Sequence, residues 1–224
     1  MRADDVAVLC SGGLDSAVLV AHAATTARVH PVYVSGGLAW EDEEVALVRR
    51  LLETPPYATG VEPLARLSVA VADLYPASHW ALRGTPPAYD TPDEDVYLPG
   101  RNILLLSKAS VLCATRGIHR LAVGPLAGNP FPDATPRFFE AMGRALSLGL
   151  DHQVGIEAPF ASLHKEEVIE LGARLRVPFE LTLSCMNPSG GRHCGLCSKC
   201  RERRDAFAAA GVNDPTQYLN ASPR

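Results

Sequence analysis

The sequence predicts an α/β fold, in which helices cover both faces of a parallel sheet. Short apolar runs alternate along the chain with longer segments of helical periodicity, the pattern of repeated strand–helix–strand units. The chain has 224 residues, which suits one domain of this class with a small appendage. Its residues are 47% apolar and 21% charged, as in ordinary globular proteins.

The first half of the chain predicts three strands and two helices. A buried strand is predicted over residues 5–10, and a helix over 16–27, which carry an apolar stripe at helical spacing. Residues 29–34 form a second apolar run. An amphipathic helix is predicted over 42–53, with acidic residues in its first turn. Residues 66–71 alternate as a third strand.

A long loop separates these elements from the next helix. Residues 75–100 are rich in proline, aspartate and aromatic residues without a clean period, and loops of this length are usually functional or disordered. A helix is predicted over 101–117 and ends at a glycine, which favours helix termini. A strand over 120–125 and a helix over 136–148 follow.

The last third of the chain contains a fifth strand and a cysteine-rich tail. A strand is predicted over 154–160 and a helix over 164–177. Four cysteines then lead into a final helix over 200–211. We expect an α/β domain over 1–182, with a metal-binding element over 183–224 packed on it.

Composition and charge exclude several classes of protein. The formal net charge is −4, and the one basic cluster, 199–204, is short, so we expect no nucleic-acid partner. No apolar run reaches 18 residues, which predicts no membrane span. The first residues lack the basic start and apolar core of a signal peptide, so we expect a cytoplasmic protein. Cysteines in that compartment favour metal binding or catalysis over disulfides.

A glycine loop follows the first strand, with the sequence "CSGGLDSAVL" from Cys10. Its glycines allow a sharp turn, and the amides of the next helix are free to bind an anion. Hydroxyl groups and a carboxylate accompany them, and a carboxylate there suits Mg²⁺ bridging to phosphate. The loop matches neither the Walker pattern nor G-x-G-x-x-G. The alternative is a turn capped by its aspartate or a serine.

Four tail cysteines have the spacing C-x8-C-x2-C-x2-C and are Cys185, Cys194, Cys197 and Cys200. Four thiolates at turn-compatible spacing suit a closed, structural zinc site. An iron–sulfur cluster has the same kind of ligands and stays an alternative. His193 is expected at the surface, because four cysteines already complete the shell. Cys10 and Cys113 have apolar surroundings and are expected in the core.

These motifs together resemble the 7-cyano-7-deazaguanine synthase family of the N-type ATP pyrophosphatases. The resemblance depends on "LCSGGLDSAV", "YLPGRNILLLSKAS", "HKEEVIELGARLRVP", the cysteine tail and "GVNDPTQY", and it spans nearly the whole chain. It implies a Rossmann-like fold similar to the adenine nucleotide alpha hydrolases. It also implies structural zinc, Mg²⁺ and two ATP-consuming steps, in which 7-carboxy-7-deazaguanine and ammonia become an amide and then a nitrile.

The resemblance also implies roles for individual residues. The residues expected to bind ATP are Leu9, Cys10, Ser11, Gly12, Gly13, Leu14, Asp15 and Ser16. The residues expected in catalysis are Asp15, Ser16, Arg101 and Lys165, and those expected to bind the acid are Arg101, Asn102 and Asp133. Helix capping is the alternative for Asn102 and Asp133, and solvent exposure the alternative for Arg101 and Lys165.

Two segments depart from the family pattern. After the second strand, "VSGGLAWEDEE" (34–44) lacks the family's tyrosine-glycine-glutamine-arginine-histidine stretch. Gly36 and Gly37 are candidates for close approach by nucleotide, and Trp40 for packing or stacking. In "NPFPDATPRFF" (129–139) Asp133 is kept, but alanine and threonine replace the family's cysteine and arginine. These changes affect the acid pocket more than the ATP loop.

Alternatives to the nitrile-forming synthase stay open. The first is an amide synthetase that adenylates a different carboxylate. The second is a sulfur-transferring tRNA enzyme, which needs a catalytic cysteine pair outside the metal site. The third is a binding module that holds ATP without turnover and grips phosphate with "CRERR". Enzymes of this kind often dimerise, so a homodimer is among the expected assemblies.

Overall fold

The computed structural model describes residues 5–223, so the ends of the two predicted regions, 1–4 and 224, lie outside it. The strands are β1 (Asp5–Leu9), β2 (Arg28–Ser35), β3 (Ala65–Ser68), β4 (Arg120–Ala122) and β5 (Gly155–Glu157). The helices are α1 (Leu14–Ala23), α2 (Glu41–Leu52), α3 (Trp80–Arg83), α4 (Arg101–Arg116), α5 (Pro136–Leu150), α6 (Lys165–Arg174) and α7 (Ser198–Ala209). Every predicted strand and helix is confirmed. The predicted loop 75–100 is wrong in part, because α3 and a 3-10 turn at Asp93–Val96 lie within it.

The five strands form one parallel sheet in the order β3-β2-β1-β4-β5. The chain moves outward from β1 to β3 and then returns to pair β4 with the other edge of β1. This reversal lies between β1 and β4, where open α/β sheets form a crevice at the carboxyl ends of their strands. The predicted α/β class is therefore confirmed.

Helices cover both faces of the sheet because successive strand residues point to opposite sides. Val6 and Val8 of β1 pack in one core cluster with α1, α2, α6 and α7. Ala7, between them, packs in the opposite cluster with α4 and α5. A third cluster joins Trp40 and Leu47 of the α2 region to the four tail cysteines, so the cysteine-rich tail packs against α2. No helix in residues 5–223 is long and apolar enough to span a membrane.

Candidate active site

The glycine loop joins β1 to α1 through a tight turn. Gly12 has a φ of +77°, and a Cβ built there lies only 2.3 Å from Cγ2 of Val48, so α2 packs directly on its backbone. The carbonyl of Gly12 accepts a hydrogen bond from the amide of Leu183 at 2.8 Å. Inside the turn, the Ser16 hydroxyl donates to the carbonyl of Gly13 at 3.0 Å. Gly12 therefore serves both the turn and the packing of α2.

A cavity of about 290 Å³ opens at the carboxyl ends of β1, β2 and β4. Six of the eight residues predicted to bind ATP line it: Leu9, Cys10, Ser11, Gly13, Asp15 and Ser16. Among the described residues, Gly12 and Leu14 are not part of its wall; Leu14 lies in the core beneath the loop. The far wall contains Arg101, Asn102 and Asp133, so one cavity joins the loop to all three residues predicted to bind the acid.

Lys165 approaches the loop from α6, 150 residues later in the sequence. Its Nζ lies 3.1 Å from Oδ2 of Asp15 and also contacts Oε1 of Glu202 on α7. Burial lowers the pKa of Lys165, but the two carboxylates outweigh burial, so its pKa lies above the ordinary value. The alternative of a solvated lysine is therefore wrong. Lys165 stays charged beside the loop, although it is not among the residues that line the cavity.

The second carboxylate oxygen of Asp15 identifies a place for a cation. Oδ1 is buried and has no hydrogen-bond partner among residues 5–223. A buried polar atom without a partner is costly unless a ligand satisfies it. Carboxylate oxygens are ligands that Mg²⁺ accepts, usually together with substrate phosphates. The residues present therefore fit a magnesium ion held by Asp15 at the loop.

Asp133 and Asn102 hold each other on the far wall. The Asp133 carboxylate, 6% exposed, accepts the backbone N–H of Asn102 at 3.1 Å, and the Asn102 side chain donates to the Asp133 carbonyl at 2.9 Å. Asp133 therefore satisfies an amide in the first turn of α4. The alternative in which it caps the helix at Pro136 is wrong, because Thr135 caps α5.

Sequence reasoning missed two features of the wall. Glu44 of α2 lines the cavity and accepts a hydrogen bond from the Tyr33 hydroxyl at 2.9 Å. Glu44 precedes Val45 by one residue and Val48 by four, and both valines lie on the buried face of α2. This helical spacing was the signal that could have predicted the burial of Glu44. Tyr97 and Phe131 are stacked with ring centroids 4.9 Å apart and also line the cavity, and no periodicity in their loops could predict that pairing.

The first segment that departs from the family pattern, 34–44, makes its contacts within the protein. The amides of Gly36 and Gly37 both donate to the Glu41 carboxylate, at 2.8 and 2.9 Å. Trp40 stacks on Trp80, with centroids 5.6 Å apart, and among the described residues it is not part of the cavity wall. The two amides are therefore bonded within the protein, nucleotide approach at these glycines stays a prediction, and packing is the role of Trp40.

The four tail cysteines converge as predicted. Their Sγ atoms all lie within 4.8 Å of one another, and two of the separations are 3.9 Å (Cys194–Cys200) and 3.5 Å (Cys197–Cys200). Tetrahedral ligands about 2.3 Å from one ion are separated by roughly 3.8 Å. Backbone amides of Asn187 and Cys194 donate to Sγ of Cys185, which orients that ligand. The residues present fit a single closed, structural metal ion.

His193 is not at the surface, which corrects the prediction. It is 3% exposed, and its Nε2 accepts the amide of Ser184 at 3.1 Å. Burial, together with the charge of Arg203, lowers the pKa of His193 to about 3, so the ring is neutral. A histidine between tail and core offered no periodic signal that it would be buried.

The short basic cluster also faces inward. Arg203 is 1% exposed and donates to Thr182, Phe179 and Thr216. Arg204 donates to the carbonyl of Gly195 and lies over the Tyr218 ring. These guanidinium groups tie α7 to the segments around it. They do not form the exposed phosphate-gripping surface that the binding-module alternative required.

Comparison with known proteins decides the family. The model of the family described as "Queuosine biosynthesis protein QueC" matches residues 5–211. The chain belongs to the QueC family. This QueC-family chain is 33% identical over 227 residues to the 7-cyano-7-deazaguanine synthase of Methanopyrus kandleri, covering 95% of the chain and 97% of the relative. It is 34% identical over 230 residues to that of Anaeromyxobacter dehalogenans, covering 94% of each.

The family resemblance predicted from the motifs is thus confirmed, and the QueC-family protein is an enzyme of queuosine biosynthesis. Among solved structures, a 4-thiouridine synthetase in complex with RNA and ATP is similar at a TM-score of 0.49 and 16% identity, covering 93% of this chain and 51% of that one. A similarity at that level is too weak to indicate a shared activity. The sulfur-transfer alternative also lacks its cysteine pair, since Cys10 and Cys113 lie in core clusters on opposite faces of the sheet.

Proposed function

We propose that this QueC-family protein converts 7-carboxy-7-deazaguanine and ammonia into 7-cyano-7-deazaguanine, as an ATP-dependent carbon–nitrogen ligase. The observation that carries the proposal is the shared cavity, with the glycine loop on one side and Arg101 on the other. Adenylation of an acid requires a loop that binds the phosphates of ATP and a positively charged side chain that binds the carboxylate of the acid. The names of the curated relatives supply the product.

The proposal gives a role to each of the predicted residues at the cavity. The loop amides and the hydroxyls of Ser11 and Ser16 bind the phosphates of ATP. Mg²⁺ held by Asp15 neutralises phosphate charge when it is bound. Lys165 adds a fixed positive charge at the loop, which stabilises the charge that develops as pyrophosphate leaves. Arg101 orients the acid, because a guanidinium binds a carboxylate in bidentate fashion.

The heterocycle is placed by the other features of the far wall. The Tyr97–Phe131 pair offers an aromatic face to a planar ring. Asp133 keeps an oxygen beyond the one that accepts the Asn102 amide, and a carboxylate suits an amidine-like edge. The altered segment 129–139 supplies both Phe131 and Asp133. For this reason a different planar carboxylic acid, converted to its amide, is the second candidate.

The cysteine-rich tail stabilises the site from outside the cavity. We propose that the four cysteines bind structural zinc and that 183–224 forms an element packed on the ATP-binding domain 1–182. Glu202 lies two residues after Cys200 and contacts Lys165, so the metal-binding element reaches the loop. The cytoplasmic location, the homodimer and the absence of a nucleic-acid partner stay predictions.

A mass-spectrometric assay with 7-carboxy-7-deazaguanine, ATP, Mg²⁺ and ammonium tests the function. We expect the acid to be replaced by the nitrile, with AMP and pyrophosphate as co-products. An amide that never advances to nitrile would favour the second candidate. No consumption of the acid by a protein that still binds ATP would contradict the proposal, and other planar acids would then be screened.

A further inference from the structure

Glu44 is a buried carboxyl group that opens onto the cavity and that the roles above leave unused. It is 7% exposed, lines the cavity, and is held by the Tyr33 hydroxyl at 2.9 Å. Burial raises the pKa of Tyr33 strongly, so the phenol keeps its proton and acts as the donor. The hydrogen bond fixes one oxygen of Glu44 in place.

The surroundings of Glu44 allow it to gain and lose a proton near neutrality. Burial raises the pKa of Glu44 to about 7, while the charge of Arg101 and the hydroxyls and N–H groups that face it act in the opposite direction. The titratable and charged groups that face it are Tyr33 from β2, Arg101 from α4, Glu41 from its own helix and Cys10 from the end of β1. A general base works best when its pKa lies near the operating pH.

The proposed reaction needs such a group. The nitrogen enters from ammonium, which has four N–H bonds, and ends in a nitrile, which has none. The other two carboxylates that line the cavity already have roles in the proposed function: Asp15, which pairs with Lys165, is the ligand for Mg²⁺, and Asp133, which accepts the amide of Asn102, faces the heterocycle. Of the described residues that line the cavity, Glu44 is the carboxyl that no other role claims.

We propose that Glu44 binds the ammonium ion and accepts the protons that its nitrogen loses, an inference that rests on the proposed function. The carboxylate takes one proton from ammonium and leaves ammonia. The ammonia lone pair then forms the C–N bond to the acyl carbon of the adenylate. The C–O bond to AMP breaks, and its electron pair leaves on the phosphate oxygen.

Glu44 serves the same nitrogen through the remaining steps. After it releases its first proton to solvent, it takes a second from the attached nitrogen, which gives the neutral amide. The amide oxygen attacks a second ATP, and pyrophosphate leaves. Loss of the last two protons from nitrogen and of AMP from carbon gives the nitrile. Tyr33 is a positioning residue, because it touches Glu44 and orients it.

The Glu44→Gln variant tests the proposal, because glutamine keeps the size and accepts the Tyr33 hydrogen bond but takes no proton. Acid-dependent ATP–pyrophosphate exchange without ammonium measures adenylation alone, and we expect it to stay within about threefold of wild type. Amide formation from ammonium should fall about 100-fold or more. Hydroxylamine is largely neutral at pH 8 and needs no proton removed before attack, so hydroxamate formation should stay within about tenfold of wild type.

Two further variants exclude a structural explanation. Glu43→Gln is the matched control on the same helix, because Glu43 accepts the amides of Gly190 and Gly191 away from the cavity; it should leave amide formation unchanged. Tyr33→Phe removes a donor that lowers the pKa of Glu44, so the acidic limb of the pH–rate profile should move to higher pH.

The possible failures are distinguishable. No acid-dependent exchange in the wild-type protein would overturn the proposed function, and this inference with it. Wild-type exchange together with undiminished amide formation by Glu44→Gln would overturn only the inference. Equal losses with ammonium and hydroxylamine, or loss of exchange itself, would also overturn it, since Glu44 would then serve folding or adenylation. If Glu44→Gln does not fold, an unmoved pH profile in Tyr33→Phe decides against the proposal.

Discussion

The Nζ of Lys165 lies 3.1 Å from Oδ2 of Asp15 and joins the first residues of α6 to the loop after β1. The same lysine side chain contacts Glu202, which lies in α7 two residues after Cys200. Two elements that are distant in sequence therefore position one cation at the glycine loop. The carboxylates hold it charged, which makes Lys165 a fixed positive group.

Replacing Lys165 by methionine should slow acid-dependent ATP–pyrophosphate exchange about 100- to 1000-fold, since a preorganised charge at the reacting phosphate is lost. Lys108→Met, at an exposed position on α4, is the matched control and should exchange at the wild-type rate. Exchange by Lys165→Met within about threefold of wild type would contradict a catalytic role.

The stability of the protein should fall with rising pH because of Glu44. Its folded pKa, about 7, lies above the ordinary value of 4.5, so the folded state binds this proton more tightly than the unfolded state. The stabilisation is complete below pH 4.5 and is lost as the pH rises through 7, by up to about 3 kcal/mol.

Urea unfolding of wild type and Glu44→Gln at pH 5 and pH 8 measures this contribution. The free energy of unfolding of Glu44→Gln, relative to wild type, should rise by about 2–3 kcal/mol between the two pH values. The corresponding difference for Glu43→Gln should stay constant. A constant difference for Glu44→Gln as well would show that Glu44 titrates normally in the folded state.

Gly12→Ala should destabilise the protein more than Gly100→Ala. Both glycines have a positive φ, which costs an alanine about 1–2 kcal/mol. Only at Gly12 does the new Cβ overlap another residue, Val48, whereas nothing lies within 4 Å at Gly100. Thermal unfolding of Gly12→Ala, Val48→Ala and the double variant should show a coupling free energy of about 1 kcal/mol or more between positions 12 and 48. Equal losses at both glycines would contradict the close packing of α2.

The purified protein should contain one zinc ion per chain, bound by the four cysteines. Cys197→Ser should lower the metal content and destabilise the protein by several kilocalories per mole, because binding to a structural site contributes to folding. Cys113→Ser, in the core far from the tail, should keep full metal content. Elemental analysis distinguishes zinc from iron. Iron in the sample together with a visible absorption band would show that the cysteines hold an iron–sulfur cluster instead of zinc.

Local patterns in the sequence predicted the elements, the loop and the cysteine site. Hydrophobic periodicity reports which face of an element is buried, so every strand and helix was found, with boundaries shifted by a few residues. The cysteine spacing is short enough that turns bring the sulfurs together without help from the rest of the fold. The loop and its flanking elements are likewise contiguous in sequence.

By itself, then, the sequence determined the α/β class, the family, the turn at Gly12 and the convergence of the four tail cysteines. Only the tertiary structure decided that Lys165 pairs with Asp15, that His193 is buried, and that Glu44 faces the cavity. Each of these depends on how sheet order and helix packing align distant segments. A charged residue in a helix has the same local signal whether it meets water or a cavity, because desolvation and partner charges arise only when the elements pack.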